Sequence, residues 1–252
     1  MSFYLDWRSL VSRLIWVQEI TGSSPVSKTK KVSKMRIVAL SDTHGYHRKV
    51  NIPDGDVLIH AGDITTNGQL TIMDDFAQWM KQFPHKKIVI FGNHDRYEEQ
   101  NSIRDLAIQY LLDAGITYLQ DNDITINDAK FYGAPWSPRF YDWSFNVDRG
   151  DAIAKKWALI PDDTAVLITH SPVHKILDEA PRGHWFGEDI FENAGCEELA
   201  KRITQLKQLK VHLSGHIHEG SGVKVINNIV FANCSICDGR YNPINPVRII
   251  DI

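Results

Sequence analysis

Cysteine is scarce in this chain, three in 252 residues. An odd number without regular spacing offers no disulfide framework, and such usage belongs to a reducing compartment, so the cytoplasm is the expected location. Long apolar runs are lacking as well. The run from Leu10 to Ile20 is broken by Arg13 and Glu19 and falls short of the ~20 apolar residues that a membrane-crossing helix needs. No small-residue cleavage pattern follows it, which argues against a secretory signal, and no membrane partner is expected. Nor is there a surplus of positive charge, the formal balance being -3. Residues 1–34 carry six Lys/Arg against two Asp/Glu, which leaves 22 against 29 in residues 35–252. A domain so acidic lacks the basic surface on which affinity for a phosphate backbone rests, so no stable nucleic-acid partner is expected. A small phosphate ester is not excluded.

What is present suits one large core. With 43% apolar residues, a chain of this length can form a single α/β domain. Residues 1–34 stand apart from it. Trp7, Leu10, Val11, Leu14 and Ile15 have helical spacing, but Thr21 to Lys34, with Gly22, Ser23, Ser24, Pro25 and four lysines, reads as a solvated linker. The segment is read as a disordered extension or a misplaced start, and the domain proper as residues 35–252.

From Met35 the pattern alternates. Near-continuous apolar runs at 36–41, 57–62, 87–92, 164–169 and 210–214 suggest strands covered on both faces. Helical periodicity spans 72–82, 102–114 with Gly115 as C-cap, 151–159 and 197–208. Shorter strands fit 117–120, 123–127, 130–133, 223–226, 229–232 and 247–251, with Asn227-Asn228 as a hairpin turn. Two mixed sheets packed together with helices outside account for this order.

The polar residues at the strand ends carry the chemistry. The first long strand ends in Asp42-Thr43-His44, the second in Gly62-Asp63 and the third in Gly92-Asn93-His94-Asp95. The fourth ends in His170, and the fifth in Gly215-His216-Ile217-His218. Ligands of open α/β sheets bind beyond the carboxyl ends of the strands, so all of these residues reach one rim. A lone Asp after a strand is usually a turn or cap residue, and His60, His85 and His212 are read as ordinary core or surface histidines. The joint pattern is harder to dismiss. Three of the groups follow a glycine, which permits close backbone approach.

Imidazole, carboxylate and amide oxygen without thiolate suit manganese(II), iron(II) or zinc(II), with manganese preferred. Seven candidates exceed the needs of one open ion and fit two, with a carboxylate shared between them. Two divalent ions a few ångströms apart promote in-line displacement at phosphorus, which points to phosphoester hydrolysis.

These blocks, in this order, resemble the calcineurin-like metallophosphoesterases over essentially residues 35–252. The resemblance implies a four-layer αββα sandwich. It also implies that Asp42, His44 and His218 hold one metal, that Asn93, His170 and His216 hold the other, and that Asp63 bridges them. His94 becomes the acid beside the leaving group, with Asp95 as its orienting neighbour.

FYGAPWSPRF at 131–140 and the ending ANCSICDGRYNPINPVRIIDI at 232–252 are similar to the small single-domain metallophosphoesterase-domain-containing branch. That branch implies phosphodiester or cyclic-nucleotide hydrolysis. Trp136 and Phe140 then either form an aromatic wall for a base or pack their loop onto the second sheet. Cys234-x-x-Cys237 is read as structural, and Arg96 is assigned no role. The alternatives are a phosphomonoesterase or phosphoprotein phosphatase, and an interaction scaffold with weak catalysis. The presence of both His94 and His216 lowers the scaffold reading. The sequence sets no oligomeric state.

Overall fold

The computed structural model describes residues 34–97, 101–185 and 188–252. Apart from Lys34, the N-terminal segment read above as an extension lies outside the described residues. The continuous apolar runs form the centres of two mixed sheets. One is ordered β15-β1-β2-β3-β4, from β1 (Arg36–Leu40), β2 (Val57–Ala61), β3 (Lys86–Ile90), β4 (Thr117–Tyr118) and β15 (Arg248–Asp251). The other is ordered β13-β14-β12-β9-β6-β5, from β5 (Asn122–Ile126), β6 (Ala129–Ala134), β9 (Val166–Thr169), β12 (Val211–Ser214), β13 (Gly222–Ile226) and β14 (Ile229–Asn233). Strands β1 to β4 run parallel and β15 antiparallel to β1. In the second sheet β6, β9, β12 and β14 run parallel, with antiparallel strands at both edges.

Side-chain alternation explains the layering. Ile37, Ala39, Val57, Ile59, Ile88 and Ile90 of the first sheet share one core with Phe131, Val166, Ile168, Val211 and Leu213 of the second. The alternate residues Val38, Leu40, Leu58 and Val89, and Tyr132, Leu167 and Phe231, face outward into the helical layers. Each such aliphatic side chain contributes ~1.5–3 kcal/mol through burial. Helices α1 (Leu70–Lys81) and α2 (Asn101–Asp113) cover the first sheet, and α3 (Asp151–Trp157) and α4 (Glu197–Ile203) the second. The αββα sandwich implied by the resemblance is therefore the observed fold.

Local details follow the sequence closely. Gly115, at φ 72°, ends α2 as expected, donating to Leu112 O at 2.9 Å while Ile116 N reaches Leu111 O at 3.0 Å. Asn227 and Asn228 turn the β13–β14 hairpin with φ of 50° and 63°. Helix α4 stops at Ile203 rather than at residue 208, because the Thr204 hydroxyl turns back to Lys201 O at 2.7 Å and the chain tightens there. The reading above did not contain β7 (Ser137–Pro138), β8 (Asn146–Val147), or the antiparallel ribbon of β10 (Glu179–Trp185) and β11 (Glu188–Asn193). Pro181, Gly183 and scattered charges leave that ribbon no period-two pattern.

His60 and His212 are core histidines as expected, buried and bonded to the hydroxyls of Thr43 at 2.9 Å and Thr169 at 2.8 Å. Among the described residues no helix is long and apolar enough to cross a membrane.

Candidate metal centre

The parallel strands β1, β2 and β3 deliver their carboxyl ends beside those of β9 and β12, and backbone bonds lock the loops together. Asp42 N donates to Gly62 O at 2.9 Å, His44 N to Asp63 O at 3.1 Å, and Gly215 N to His170 O at 3.0 Å. Asp42, His44, Asp63 and His216 all adopt left-handed backbone conformations, with φ of 53°, 44°, 58° and 69°. Such a conformation costs ~1–3 kcal/mol at a non-glycine residue and persists only where the surroundings enforce it. Gly92, before Asn93, and Gly215, before His216, clear space for the site's own side chains. A Cβ at Gly92 would collide with Asp63 Oδ1, and one at Gly215 with Asp42 Oδ2.

The structure brings all seven expected ligands together. Asp42, His44 and His218 form one cluster of converging ligand atoms, and Asp63, His170 and His216 another. Asp63 also groups with His44 and His94, which places its carboxylate between the two clusters. Asn93 Oδ1 lies 3.0 Å from His170 Nε2.

The hydrogen bonds fix the rings for cation binding. His44, His170 and His218 each direct Nδ1 at a backbone carbonyl, of Thr65 at 3.2 Å, Ala61 at 2.9 Å and Asp238 at 3.0 Å. In the neutral ring this tautomer leaves a lone pair on Nε2. The Nε2 atoms of His44 and His218 face each other at 3.3 Å. His170 Nε2 faces Asp63 Oδ2 at 3.2 Å. Acceptors that converge in this way, from imidazole, carboxylate and amide oxygen without thiolate, fit two divalent ions.

The electrostatics agree. Burial would raise Asp42 and Asp63, but the charge and hydrogen bond of His218 on the former and of His170 on the latter hold both well below the usual carboxylate range. Burial would also lower those two histidines, yet Asp63 lifts His170 to about 9 and Asp42 lifts His218 to about 9. His44 and His216 have weaker support, and burial pushes them down to about 4 and about 3. A histidine raised in this way stabilises the metal-free chain fully below its ordinary value of 6.5, and that contribution is lost as pH rises through about 9. Cations must displace these protons. Affinity for a divalent ion is therefore expected to increase between pH 6.5 and 9 with proton release, seen by calorimetry in buffers of different ionisation heat. Binding that is flat across that range would contradict it.

His94 stands at the mouth of the centre. Its Nδ1 meets Thr66 O at 2.8 Å, and its ring lies 4.7 Å from His44 and 4.3 Å from Trp143. The expectation that Asp95 orients this ring needs correction, because a backbone carbonyl does so. Asp95 is fully buried and accepts from Thr65 N at 2.9 Å, Gly92 N at 3.0 Å, Ile64 N at 3.2 Å and the Thr65 hydroxyl at 3.0 Å. Its carboxylate ties the loop after β2 to the loop after β3, and so positions Asp63 and Asn93. Burial and then repulsion from Asp63 push it up to about 6 against those donors.

The aromatic residues divide. Trp136 is buried and donates to Asp121 at 2.7 Å, so it packs its loop. Phe140 is exposed and lines a cleft of about 860 Å³ together with Asp63, Asn93, His94, His216 and His218. Trp143, Tyr241 and Arg149 were not singled out from the sequence. Trp143 lies parallel to Phe140, and Arg96 rests its guanidinium over Trp143 at 5.4 Å.

Comparison with known proteins gives a consistent picture. The family model described as calcineurin-like phosphoesterase matches residues 35–220. The human protein named metallophosphoesterase domain-containing protein 1 is 36% identical over 249 residues, covering 90% of this chain and 74% of its own. A UPF0046 protein of Caenorhabditis elegans is 37% identical over 215 residues, covering 81% of this chain and 70% of its own. The crystal structure of a Thermus thermophilus protein, TT1561, superimposes with a TM-score of 0.51 at 10% identity, covering 80% of this chain and 89% of its own. That likeness is one of fold.

Proposed function

The chain belongs to the calcineurin-like phosphoesterase family, and we propose that this metal-dependent phosphoester hydrolase is a phosphodiesterase acting on a small substrate such as a cyclic nucleotide. The observation that supports the diester reading is the charge of the cleft. Among the described residues lining it, Arg139, Arg149 and Arg182 each face a carboxylate: Asp148 at 2.5 Å, Glu197 at 2.6 Å and Glu192 at 3.5 Å. Guanidinium groups already engaged by carboxylates are less free to clamp the second charge of a monoester dianion. A diester monoanion has no second charge to clamp. The exposed face of Phe140 adds an apolar surface on which a base can stack.

Asp42, His44 and His218 would hold one divalent ion, Asn93, His170 and His216 the second, and Asp63 both. When bound, the ions supply Lewis-acid stabilisation of phosphoryl charge and a water acidified toward neutrality. The remaining work falls to this chain's own groups. Carbonyls of Thr65, Ala61 and Asp238 hold three ligand rings in one tautomer, and Asp95 fastens the loops that carry Asp63 and Asn93. His94, held at Nδ1 by Thr66, turns Nε2 to the cleft, from which its imidazolium form would give the proton that the departing oxygen requires. Manganese is the proposed ion and the cytoplasm the proposed location.

The test is a panel run on the Mn²⁺-loaded full chain: a bis-aryl phosphodiester, an aryl phosphomonoester, and 2′,3′- and 3′,5′-cyclic nucleotides. Diester turnover above monoester turnover is expected. The reverse order would overturn the substrate class.

A further inference from the structure

Tyr241 has no part in the account above, yet its placement is tightly specified. Its φ of 61° is left-handed, a conformation that a bulky residue adopts only where its surroundings demand it. The demand comes from Asp238. That carboxylate accepts Arg240 N at 2.9 Å and Asn242 N at 2.8 Å, while Tyr241 N donates to Asp238 O at 2.9 Å. The same carbonyl receives His218 Nδ1 at 3.0 Å, so one loop sets both a ligand ring and the tyrosine. The Tyr241 ring lies edge-on 4.8 Å from His44 and 5.0 Å from His218, at the cleft wall.

Its hydroxyl then stands 3.5 Å from His94 Nε2. This is the long, weak end of a hydrogen bond, beyond the ~2.7–3.2 Å of an ordinary one, so the contact yields readily to a better partner. With His94 as the imidazolium, its Nε2–H and the Tyr241 hydroxyl at that separation can both donate to a single oxygen placed between them on the cleft side. Trp143 and Thr66 fix the His94 ring from its other sides, which leaves that shared position facing substrate.

We propose that Tyr241 is a catalytic residue whose hydroxyl, beside His94 Nε2, donates a hydrogen bond to the leaving-group oxygen of the phosphoester. In the step served, a water oxygen forms a bond to phosphorus as the bond from phosphorus to the leaving oxygen breaks. The electron pair passes to that oxygen, which takes its proton from His94. Of the two protons of the attacking water, one restores His94 and the other goes to solvent. Tyr241 stabilises the developing charge and keeps its own proton. The inference rests on the reading that this chain hydrolyses phosphodiesters with His94 at the leaving group.

The experiment compares the full chain and Tyr241→Phe, both loaded with Mn²⁺, on aryl methyl phosphates of graded leaving-phenol acidity. The Phe ring keeps the packing on His44 and His218, so unchanged metal content is expected. The loss in kcat/KM should grow as the phenol becomes less acidic, reaching about 10- to 100-fold for the poorest leaving group, the range of one hydrogen bond to a charged atom. An equal loss across the series, no loss, or loss of metal would overturn the proposal. Failure of the reading beneath it is distinguishable: the unsubstituted chain would then not turn over the diesters at all.

Discussion

If the chain is the diesterase proposed above, replacing His94 with Ala is expected to lower turnover of a 2′,3′-cyclic nucleotide by on the order of 10²–10⁴ while both metal ions stay bound. Two features of the site lead to that result. His94 Nδ1 is committed to Thr66 O at 2.8 Å, so Nε2 is the ring atom available to substrate. The ring is absent from the Asp42–His44–His218 and Asp63–His170–His216 groups, although it lies near His44 and Asp63, so metal content is expected to survive its removal. An alkoxide leaving group makes the need for a proton acute, and a nitrophenolate much less so. His94→Asn separates proton transfer from packing, since an amide hydrogen-bonds but does not act as an acid. Both variants should fall together on the cyclic nucleotide and recover partly on a nitrophenyl ester. Turnover that barely falls, with metal retained, would remove His94 from the mechanism.

Asp63→Asn is expected to have the larger effect, because this carboxylate groups with His44 on one side and with His170 and His216 on the other. Its Oδ1 accepts His94 N at 2.8 Å and its Oδ2 faces His170 Nε2 at 3.2 Å, in a fully buried setting. The amide keeps the shape and removes the charge that draws cations together. Metal catalysis supplies several kcal/mol of transition-state stabilisation, so activity should drop by about 10³ or more, with metal content falling from two ions toward none. Elemental analysis beside the assay separates this result from simple misfolding, which far-ultraviolet circular dichroism would report. Retention of both ions in the variant would deny Asp63 its shared position.

Much of this was legible in the residues, for physical reasons that can be named. Strands buried on both faces leave continuous apolar runs, so β1, β2, β3, β9 and β12 and the polar residues at their ends stood out. Ligand types at strand ends are a side-chain signal, and all seven converge. What depended on the backbone did not show. The true partner of His94 is the carbonyl of Thr66, and the true partners of Asp95 are amides of residues 64, 65 and 92. A carbonyl or an amide is present at nearly every residue and marks none of them. The family resemblance implied the wrong contact for His94, because Asp95 turns inward while the ring turns out. Tyr241 is 147 residues from His94, on a loop whose only hint was its string of Asp, Gly and Asn. Trp136 and Phe140 shared one aromatic pattern but separated into core and cleft according to whether Asp121 was in reach of the indole.

The most direct test is the anomalous scattering of a Mn²⁺-soaked crystal of the full chain. Two ions are predicted, one among Asp42, His44 and His218 and one among Asn93, His170 and His216, with Asp63 touching both. A single ion, or two ions that do not share Asp63, would contradict the account.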